Sequence, residues 1–306
     1  MAHPRISVVI PTYNRQALVR EAIESVLAQT YTDFETIVVD DGSKDDTTER
    51  LQPYLDRITY TRQNNQGLAA ARNTGIRLAS GEFVCFLDDD DLWMPTKLEK
   101  QIQFADAHPE YALISTEIEG FGSDNQPVGR SKAAMYEIRN GFVVEHLLFG
   151  NWIAPSTVMM RRTCLDEVGG FDEDIRAFAE DWVMWMRVAS KFPVYFIPEP
   201  LVRYRFHAGQ MTQEPSEKQF RSLMACLEKL SVLPQLRQKP QLLREAEYRI
   251  CMERAWRDRE SGQYERAMSK LKQASQLRRF AVTPLYQMLR TVAEKQLKRE
   301  KGTHGG

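Results

Sequence analysis

The stretch Ile6-Ser7-Val8-Val9-Ile10-Pro11-Thr12-Tyr13-Asn14 sets the pattern on which the fold is built: an apolar, β-branched run that ends in a polar cluster. The same arrangement recurs twice, at Phe34–Val39 and at Phe83–Leu87. The first of these runs is followed by Asp40-Asp41-Gly42-Ser43, and the second by the acidic residues Asp88 to Asp91. Each apolar run has the length and composition of a buried β-strand.

Helical patterns separate the apolar runs, two more of which lie at Ile58–Thr61 and Ala112–Thr116. Helical spacing joins Leu18, Ala22 and Val26, and also Leu68, Ala71, Gly75 and Leu78. Strands that alternate with helices predict βαβ units, so we expect an α/β fold with a mostly parallel sheet flanked by helices. Right-handed crossovers then place the carboxyl ends of the strands along one edge of the sheet.

The polar clusters follow three of the predicted strands and should therefore meet at that edge, where open α/β sheets bind their ligands. The acidic run is the most informative of the three. Four adjacent carboxylates repel one another, and their hard oxygen atoms favour Mg²⁺ or Mn²⁺ over zinc. The alternative is an acidic helix cap before Pro95, with Asp91 stabilising the helix that follows.

A divalent ion at this edge has a clear chemical use. The sequence contains no GxxxxGK[ST] loop and no GxGxxG after the first strand, so backbone cradling of phosphate is not indicated. An acidic crevice does not hold a diphosphate by itself. An ion that bridges carboxylate and phosphate oxygens solves this problem and stabilises a departing diphosphate.

The bulk properties narrow the class of protein. The chain has 306 residues, 42% of them hydrophobic, and a net charge of −1, which gives no reason to expect a nucleic-acid partner. Its four cysteines form no CxxC pair, so we expect reduced thiols in a cytoplasmic protein. The first apolar run is too short for a signal peptide, and no run approaches the roughly 20 apolar residues of a membrane span. Any membrane contact is therefore expected from the surface, on the inner face.

The later part of the chain changes character. Residues 120–140 are rich in Gly, Ser and Asn and predict a mobile loop, and the chain after residue 215 has helical spacing throughout. Between them we expect a helix at about 180–190 and strands near 194–198 and 201–206. Near the C-terminus an apolar stripe lies beside an excess of basic residues: Leu285, Met288, Leu289 and Val292, with Arg290, Lys295, Lys298, Arg299 and Lys301. This pattern predicts peripheral membrane contact, and the alternative is a helix packed on the preceding domain.

Four motifs in order resemble glycosyltransferase family 2, over roughly residues 5–210. They are Val8-Val9-Ile10-Pro11-Thr12-Tyr13-Asn14-Arg15, Val38-Val39-Asp40-Asp41-Gly42-Ser43, Ala70-Ala71-Arg72-Asn73-Thr74-Gly75 and Leu87–Trp93. The resemblance implies a GT-A nucleotide-diphospho-sugar transferase fold, an inverting mechanism and a nucleotide-sugar donor, with UDP-sugars favoured. It implies a catalytic domain at 1–215, with a nucleotide-binding half at about 1–119 and an acceptor half at about 120–215. A helical region follows at 216–306.

The resemblance also assigns candidate residues. It implies nucleotide or donor binding by Pro11, Thr12, Tyr13, Asn14, Asp40, Arg72, Asp88 and Asp89. Asp88 and Asp90 match the family's Asp-x-Asp, with Asp90 the expected direct ligand of Mn²⁺ or Mg²⁺. His207, in Tyr204-Arg205-Phe206-His207, matches a position near the diphosphate and is a third candidate ligand. Lys97 and Lys100 are expected to be exposed helix residues.

A second acidic motif, Ala179-Glu180-Asp181-Trp182, precedes an apolar helical stripe. Acidic residues favour helix N-termini through the helix dipole, which is the plain structural interpretation. The resemblance instead makes Asp181 the general base and places Glu180 beside it in the acceptor region. A carboxylate within hydrogen-bond reach can take the proton of an acceptor hydroxyl as the glycosidic bond forms.

The predicted function is therefore a metal-dependent, inverting and non-processive glycosyltransferase. Its acceptor would be a saccharide or glycolipid, in polysaccharide, lipopolysaccharide or glycoconjugate assembly. One alternative is a non-catalytic nucleotide- or sugar-binding module on the same fold, and another is a metal-dependent nucleotidyltransferase, which would need a basic triphosphate loop near the first strand. An Asp-nucleophile phosphatase would need Thr or Val two residues after Asp90, where Leu92 stands.

Overall fold

The computed structural model describes residues 3–122, 124–129, 131–175, 179–207, 217–278 and 282–303, with only the backbone described for residues 293 and 296–303. The chain divides into two compact units, Met1–Gln210 and Met211–Gly306. The first unit contains all eight strands of the described chain, and the described helices of the second unit follow one another without a strand.

The first unit alternates strands and helices as the sequence predicts. Its strands are β1 Ile6–Thr12, β2 Phe34–Asp40, β3 Thr59–Arg62, β4 Phe83–Phe86, β5 Leu92–Trp93, β6 Leu113–Gly122, β7 Met159–Arg161 and β8 Val194–Phe206. Its helices are α1 Gln16–Leu27, α2 Thr47–Leu51, α3 Leu68–Leu78, α4 Lys97–Ala107, α5 Lys132–Met135, α6 Val144–Leu147, α7 Thr163–Val168 and α8 Glu180–Lys191. Short 3₁₀ turns lie at Gln52–Tyr54 and Pro155–Thr157.

The eight strands form one sheet in the order β3-β2-β1-β4-β7-β6-β8-β5. Strands β1, β2, β3 and β4 run parallel, and β7 pairs antiparallel with both β4 and β6. Because β8 is parallel to β6, only β7 and β5 oppose the common direction. The prediction of a mostly parallel sheet flanked by helices is confirmed.

The central strands are buried on both faces. Every residue of β1 is buried, and α1 covers the sheet with Val19, Ala22, Ile23 and Val26. Helix α3 packs directly on β1 at Gly75, where a Cβ atom would lie 2.2 Å from Cγ1 of Val9. The close approach requires glycine at this position and fixes α3 on the sheet. Leu78, predicted to belong to the same apolar stripe, is exposed.

Two predicted boundaries differ from the structure. Strand β6 extends to Gly122 inside the segment predicted as a loop, because its residues pair continuously with β8. The segment after it contains the short helix α5, whose backbone is held by the carboxylate of Glu117. The two strands predicted near 194–198 and 201–206 form one strand, β8, with a register shift opposite Glu117.

The second unit is helical, with helices α9 Glu217–Leu230, α10 Pro234–Arg237, α11 Pro240–Glu260, α12 Tyr264–Leu277 and α13 Val282–Thr303. Phe220, Tyr248, Cys251 and Ala274 form its apolar core. A buried ion pair of 2.6 Å joins Arg254 to Asp258 one turn apart on α11. Among the described residues, no helix combines the length and the apolar character that crossing a bilayer requires.

Candidate active site

The three polar clusters meet at the carboxyl edge of the parallel strands. The Thr12 hydroxyl, at the end of β1, donates a 2.7 Å hydrogen bond to Oδ2 of Asp89, which follows β4. The backbone N–H of Asp41, after β2, donates to the carbonyl oxygen of Thr12 at 2.9 Å. Residues that lie 77 positions apart in the sequence are thus in direct contact.

Two basic side chains contact the middle of the acidic loop, defined here as Asp88 to Asp91. Nη1 of Arg15 lies 3.0 Å from Oδ1 of Asp89 and 2.5 Å from Oδ2 of Asp90. Nε2 of His207 lies 3.1 Å from the same Oδ2 atom. The structure therefore brings His207 beside Asp90, and it adds Arg15, a residue that sequence analysis did not select.

Arg72 joins the acidic loop to the second acidic motif. Its guanidinium lies on α3 and is almost fully buried, with Nη2 2.6 Å from Oδ1 of Asp88 and Nη1 2.5 Å from Oε1 of Glu180. The Phe171 ring lies 5.2 Å below the guanidinium carbon. Because Glu180 opens α8, this bridge connects the carboxyl end of β4 with the beginning of α8.

Asp91 has a different environment from the other three acids. It is 1% exposed, with Oδ2 accepting from the Ser156 hydroxyl at 2.6 Å and Oδ1 accepting from the Arg205 N–H at 3.1 Å. The alternative that Asp91 caps the next helix is wrong, because α4 begins only at Lys97 and its N-cap residue is Thr96. Asp91 instead connects the acidic loop to the segments that contain Ser156 and Arg205.

Burial and repulsion between neighbouring carboxylates raise the pKa values of Asp88, Asp89 and Asp91. Burial raises the pKa of Asp88, and Asp90 adds to this effect while Arg72 opposes it. Burial raises the pKa of Asp89 to about 7, against the opposing effect of Arg15. The pKa of Asp91 lies well above its usual range, for the same reason of burial followed by repulsion from Asp90. A bound cation would relieve this cost.

The side chains present are of the kind that binds a hard divalent cation together with phosphate oxygens. Within the described residues no group of three or more His, Cys, Asp or Glu side chains forms a complete cage. Mg²⁺ characteristically binds one or two protein carboxylates together with substrate phosphates. The Asp88 and Asp90 carboxylates, with the His207 imidazole beside Asp90, are the side chains that would supply such a donor set.

Asp181 lies in the first turn of α8, as predicted, on a helix whose inner face is fixed by buried Trp182 and Trp185. Oδ2 of Asp181 accepts a 3.0 Å hydrogen bond from the Asn151 amide, and Oδ1 accepts from the Trp182 N–H at 2.7 Å. Burial, and then the nearby charge of Glu180, raises the pKa of Asp181 to about 7. A carboxylate with this pKa is suited to general-base chemistry near neutral pH.

The remaining predicted nucleotide-binding residues surround the end of β1. Pro11 is buried in the strand, whereas Tyr13 is 40% exposed and Asn14 adopts a left-handed conformation with φ of 54°. Oδ1 of Asn14 accepts from the Lys44 N–H at 2.7 Å, which joins this loop to the one after β2. Asp40 is fully buried, and its carboxylate accepts from the Ser43 N–H and the Tyr60 hydroxyl.

The expectation that Lys97 is exposed is wrong. Its side chain is fully buried, with Nζ 3.9 Å from the centre of the Trp93 ring and 2.7 Å from Oε1 of Gln101. Lys100, in contrast, is partly exposed and forms an ion pair with Glu199. Helical spacing could not separate the two lysines, because the burial of Lys97 depends on packing, including its contact with the Trp93 ring.

This arrangement defines the class of protein: an α/β enzyme scaffold of the GT-A type, with an acidic loop at the carboxyl edge of its sheet. Among solved structures it is similar to S. aureus TarS 1-349 in complex with UDP-GlcNAc, with a TM-score of 0.67 and 21% identity over 89% of this chain and 81% of that one. It is also similar to the mannosyltransferase PcManGT from Pyrobaculum calidifontis in complex with GDP-Man and Mn²⁺. That match has a TM-score of 0.60 and 22% identity over 97% and 81% of the two chains.

The family follows from sequence comparison. The model of glycosyl transferase family 2 matches residues 7–169, slightly more than half of the 306 residues. The chain therefore belongs to glycosyl transferase family 2.

Two relatives illustrate the extent of the similarity. An uncharacterized glycosyltransferase of Rickettsia felis is 35% identical over 68% of this chain and 34% of its own length. The Escherichia coli enzyme WfaP, named UDP-Glc:alpha-D-GlcNAc-diphosphoundecaprenol beta-1,3-glucosyltransferase, is 30% identical over 68% of this chain and 79% of its own. The matches to three curated relatives from Rickettsia span 34% to 66% of the length of those proteins.

Proposed function

We propose that this protein is a metal-dependent, inverting glycosyltransferase that transfers a sugar from a nucleotide-diphosphate donor to an acceptor hydroxyl. The observation that carries the proposal is the Arg72 bridge, with 2.6 Å to Asp88 on one side and 2.5 Å to Glu180 on the other. It holds an acidic loop suited to a metal-bound diphosphate next to the helix that carries a candidate base. One crevice thus contains the groups that donor binding and acceptor activation need.

In the proposed reaction, Asp181 takes the proton of the acceptor hydroxyl as that oxygen attacks the anomeric carbon. Attack from the face opposite the leaving diphosphate inverts the configuration through an oxocarbenium-like state. Asn151 holds the Asp181 carboxylate in place, and the first turn of α8 fixes its direction. Asp88, Asp90 and His207 would hold Mn²⁺ or Mg²⁺, which supplies charge stabilisation for the departing diphosphate.

The proposed donor is a UDP-sugar, and the proposed acceptor is a saccharide or glycolipid of polysaccharide, lipopolysaccharide or glycoconjugate assembly. The names of two similar proteins, WfaP and the TarS complex with UDP-GlcNAc, support this choice of donor. Residues 1–119 would form the nucleotide-binding half, with Thr12 and Asp40 near the nucleotide base. Residues 120–215 would form the acceptor half, and residues 216–306 a helical region.

We also propose that α13 makes peripheral contact with an anionic membrane surface. Leu285, Tyr286, Leu289 and Val292 are exposed at 56%, 60%, 72% and 46%, and their spacing places them along one side of the helix. Arg290 and Lys295 add positive charge on the same helix, and Lys298, Arg299 and Lys301 lie outside the side chains that the structure describes. An apolar stripe beside cations suits a bilayer interface.

The decisive experiment is a screen of UDP-glucose, UDP-GlcNAc and GDP-mannose for nucleotide release, with and without Mn²⁺ and simple glycoside acceptors. We expect release from a UDP-sugar that requires the metal and increases with an acceptor. Tight binding of nucleotide without turnover for every donor and acceptor would favour the non-catalytic module. Release of pyrophosphate from a nucleoside triphosphate would favour a nucleotidyltransferase.

A further inference from the structure

We infer that Ser156 is a positioning residue that closes the acidic loop and sets the places of Asp88 and Asp90 before any metal or donor binds. Its hydroxyl accepts from the Asp88 N–H at 3.1 Å and donates to Oδ2 of Asp91 at 2.6 Å. One side chain therefore contacts both the first and the last residue of the loop. The functional part of this inference rests on the proposed role of Asp88 and Asp90.

The backbone of Ser156 extends the same clamp. Its carbonyl oxygen accepts a 2.8 Å hydrogen bond from Nε1 of Trp93, two residues beyond the acidic loop. The loop is also closed within itself, because the Asp91 N–H donates to the Asp88 carbonyl at 3.1 Å. A serine hydroxyl has one donor hydrogen and two acceptor lone pairs, so Ser156 can hold a backbone amide and a carboxylate at once.

Ser156 can act as a fixed point because its own turn is rigidly held. The turn Pro155–Thr157 is fully buried, and the Thr157 hydroxyl donates to the Ala154 carbonyl at 2.7 Å. Gln101 donates to the Thr157 carbonyl at 2.9 Å and accepts from buried Lys97, whose Nζ lies under the Trp93 ring. The clamp therefore rests on α4 and does not depend on the crevice.

The geometry explains how four adjacent acids are accommodated in one loop. The Asp91 carboxylate accepts hydrogen bonds from the Ser156 hydroxyl and the Arg205 N–H. Asp88 is held through its backbone N–H, which donates to the same hydroxyl. Partners that orient metal-binding side chains commonly contribute 10- to 100-fold to metal affinity. We therefore assign Ser156 to the preorganisation of the loop.

The test compares Ser156→Ala with Thr157→Val, which removes a buried hydroxyl from the same turn without touching the acidic loop. In metal-free protein, amide hydrogen exchange of the peptide that contains residues 88–91 should be faster in S156A and unchanged in T157V. Mn²⁺ titration by electron paramagnetic resonance in the presence of UDP should show a 10- to 100-fold loss of affinity in S156A. T157V should stay within about twofold of the wild type, since its hydroxyl is not a partner of a ligand.

Equal exchange of residues 88–91 in S156A and T157V would overturn the clamp. If S156A does not fold, Trp93→Phe removes the indole donor to the Ser156 carbonyl and keeps an aromatic ring beside Lys97, and faster loop exchange in W93F is then the expected result. Exchange of residues 88–91 in W93F at the wild-type rate would overturn the inference. If the wild type does not bind Mn²⁺ in the presence of UDP, the proposed metal role is refuted. The hydrogen exchange of residues 88–91 then still tests whether Ser156 holds the acidic loop.

Discussion

The side-chain amide of Asn151 donates a 3.0 Å hydrogen bond to Oδ2 of Asp181. A carboxylate only accepts hydrogen bonds, so the amide must present its Nδ2 atom to Asp181. Within the described residues, Oδ1 of Asn151 is buried without a hydrogen-bond partner. The Asn151 amide thus orients the carboxylate of the proposed base, Asp181, through its Nδ2 atom.

Replacement of the proposed base separates chemistry from donor binding. Asp181→Asn keeps the shape of the side chain but cannot take a proton at neutral pH, so kcat for transfer should fall by at least about 10². Nucleotide affinity should change little. The matched control is Asp166→Asn, which places the same substitution in the first turn of α7 on an exposed side chain. Retention of more than about a tenth of the wild-type kcat would exclude Asp181 as the base.

The rate of transfer should depend on the protonation of Asp181. Its pKa is raised to about 7 in the free protein, so kcat/KM should be constant at high pH and decrease as the pH falls through about 7. The charged groups that act on it are Glu180, Arg72 and Lys132. Because a hydrogen bond to a carboxylate favours its charged form, Asn151→Ala should move the decrease to higher pH.

The control for the pH profile is Asn64→Ala, which removes an exposed amide elsewhere in the same unit. Its profile should coincide with that of the wild type. A profile in the Asn151→Ala variant that also coincides with the wild type would show that Asn151 does not act on the base.

Loss of the expected metal ligand should remove the effect of the metal on nucleotide binding. Asp90→Asn should bind UDP with the same affinity with and without Mn²⁺, while the wild type binds more tightly with the metal. Calorimetric titration measures both affinities, and thermal unfolding checks that the fold is kept. Metal-stimulated binding of normal strength in D90N would show that Asp90 is not a ligand.

The apolar stripe of α13 can be tested without truncation. The double variant Leu285→Gln with Leu289→Gln should co-sediment less with liposomes that contain anionic lipid, because it removes two exposed apolar side chains from the stripe. Val232→Gln removes an exposed apolar side chain from another segment and should bind as the wild type does. Equal binding by all three proteins would exclude this stripe as the membrane contact.

Buried Lys97 should leave a signature in the pH dependence of stability. Burial lowers its pKa to about 8, from 10.5, so between these values the unfolded chain binds more protons than the folded one. The free energy of unfolding should therefore rise with pH in this window, by up to about 1.4 kcal/mol per pH unit. Chemical denaturation of the wild type and of Lys97→Met at pH 7 to 10 isolates this contribution. A constant difference between the two proteins would mean that Lys97 stays charged.

The sequence predicted the parts of the site that follow from periodicity. Thr12, Asp40 and Asp88 stand directly after apolar runs, and parallel strands bring their carboxyl ends to one edge. Glu180 and Asp181 precede a regular apolar stripe, which located α8 to within a residue. Both signals are local in the sequence, and the geometry of parallel strands then predicts that Thr12, Asp40 and Asp88 lie at one edge of the sheet.

The residues that sequence analysis missed depend on contacts between distant segments. Ser156 and Asn151 lie in a stretch without regular periodicity, and nothing in their neighbours distinguishes a buried hydroxyl or amide from an exposed one. The four acids of the loop look equivalent as a run, and only the fold turns Asp91 toward Ser156. The burial of Lys97 was also missed, because helical spacing does not show which lysine of α4 the Trp93 ring covers.

Only four residues, all of them buried, separate Asn151 from Ser156. One short piece of backbone thus contacts both the proposed base and the loop proposed to hold the donor. The length of this segment would therefore set the distance between the proposed acceptor site and the proposed donor site. A redesign for a larger or smaller acceptor should therefore vary the segment that carries α5 and leave the number of residues between Asn151 and Ser156 unchanged.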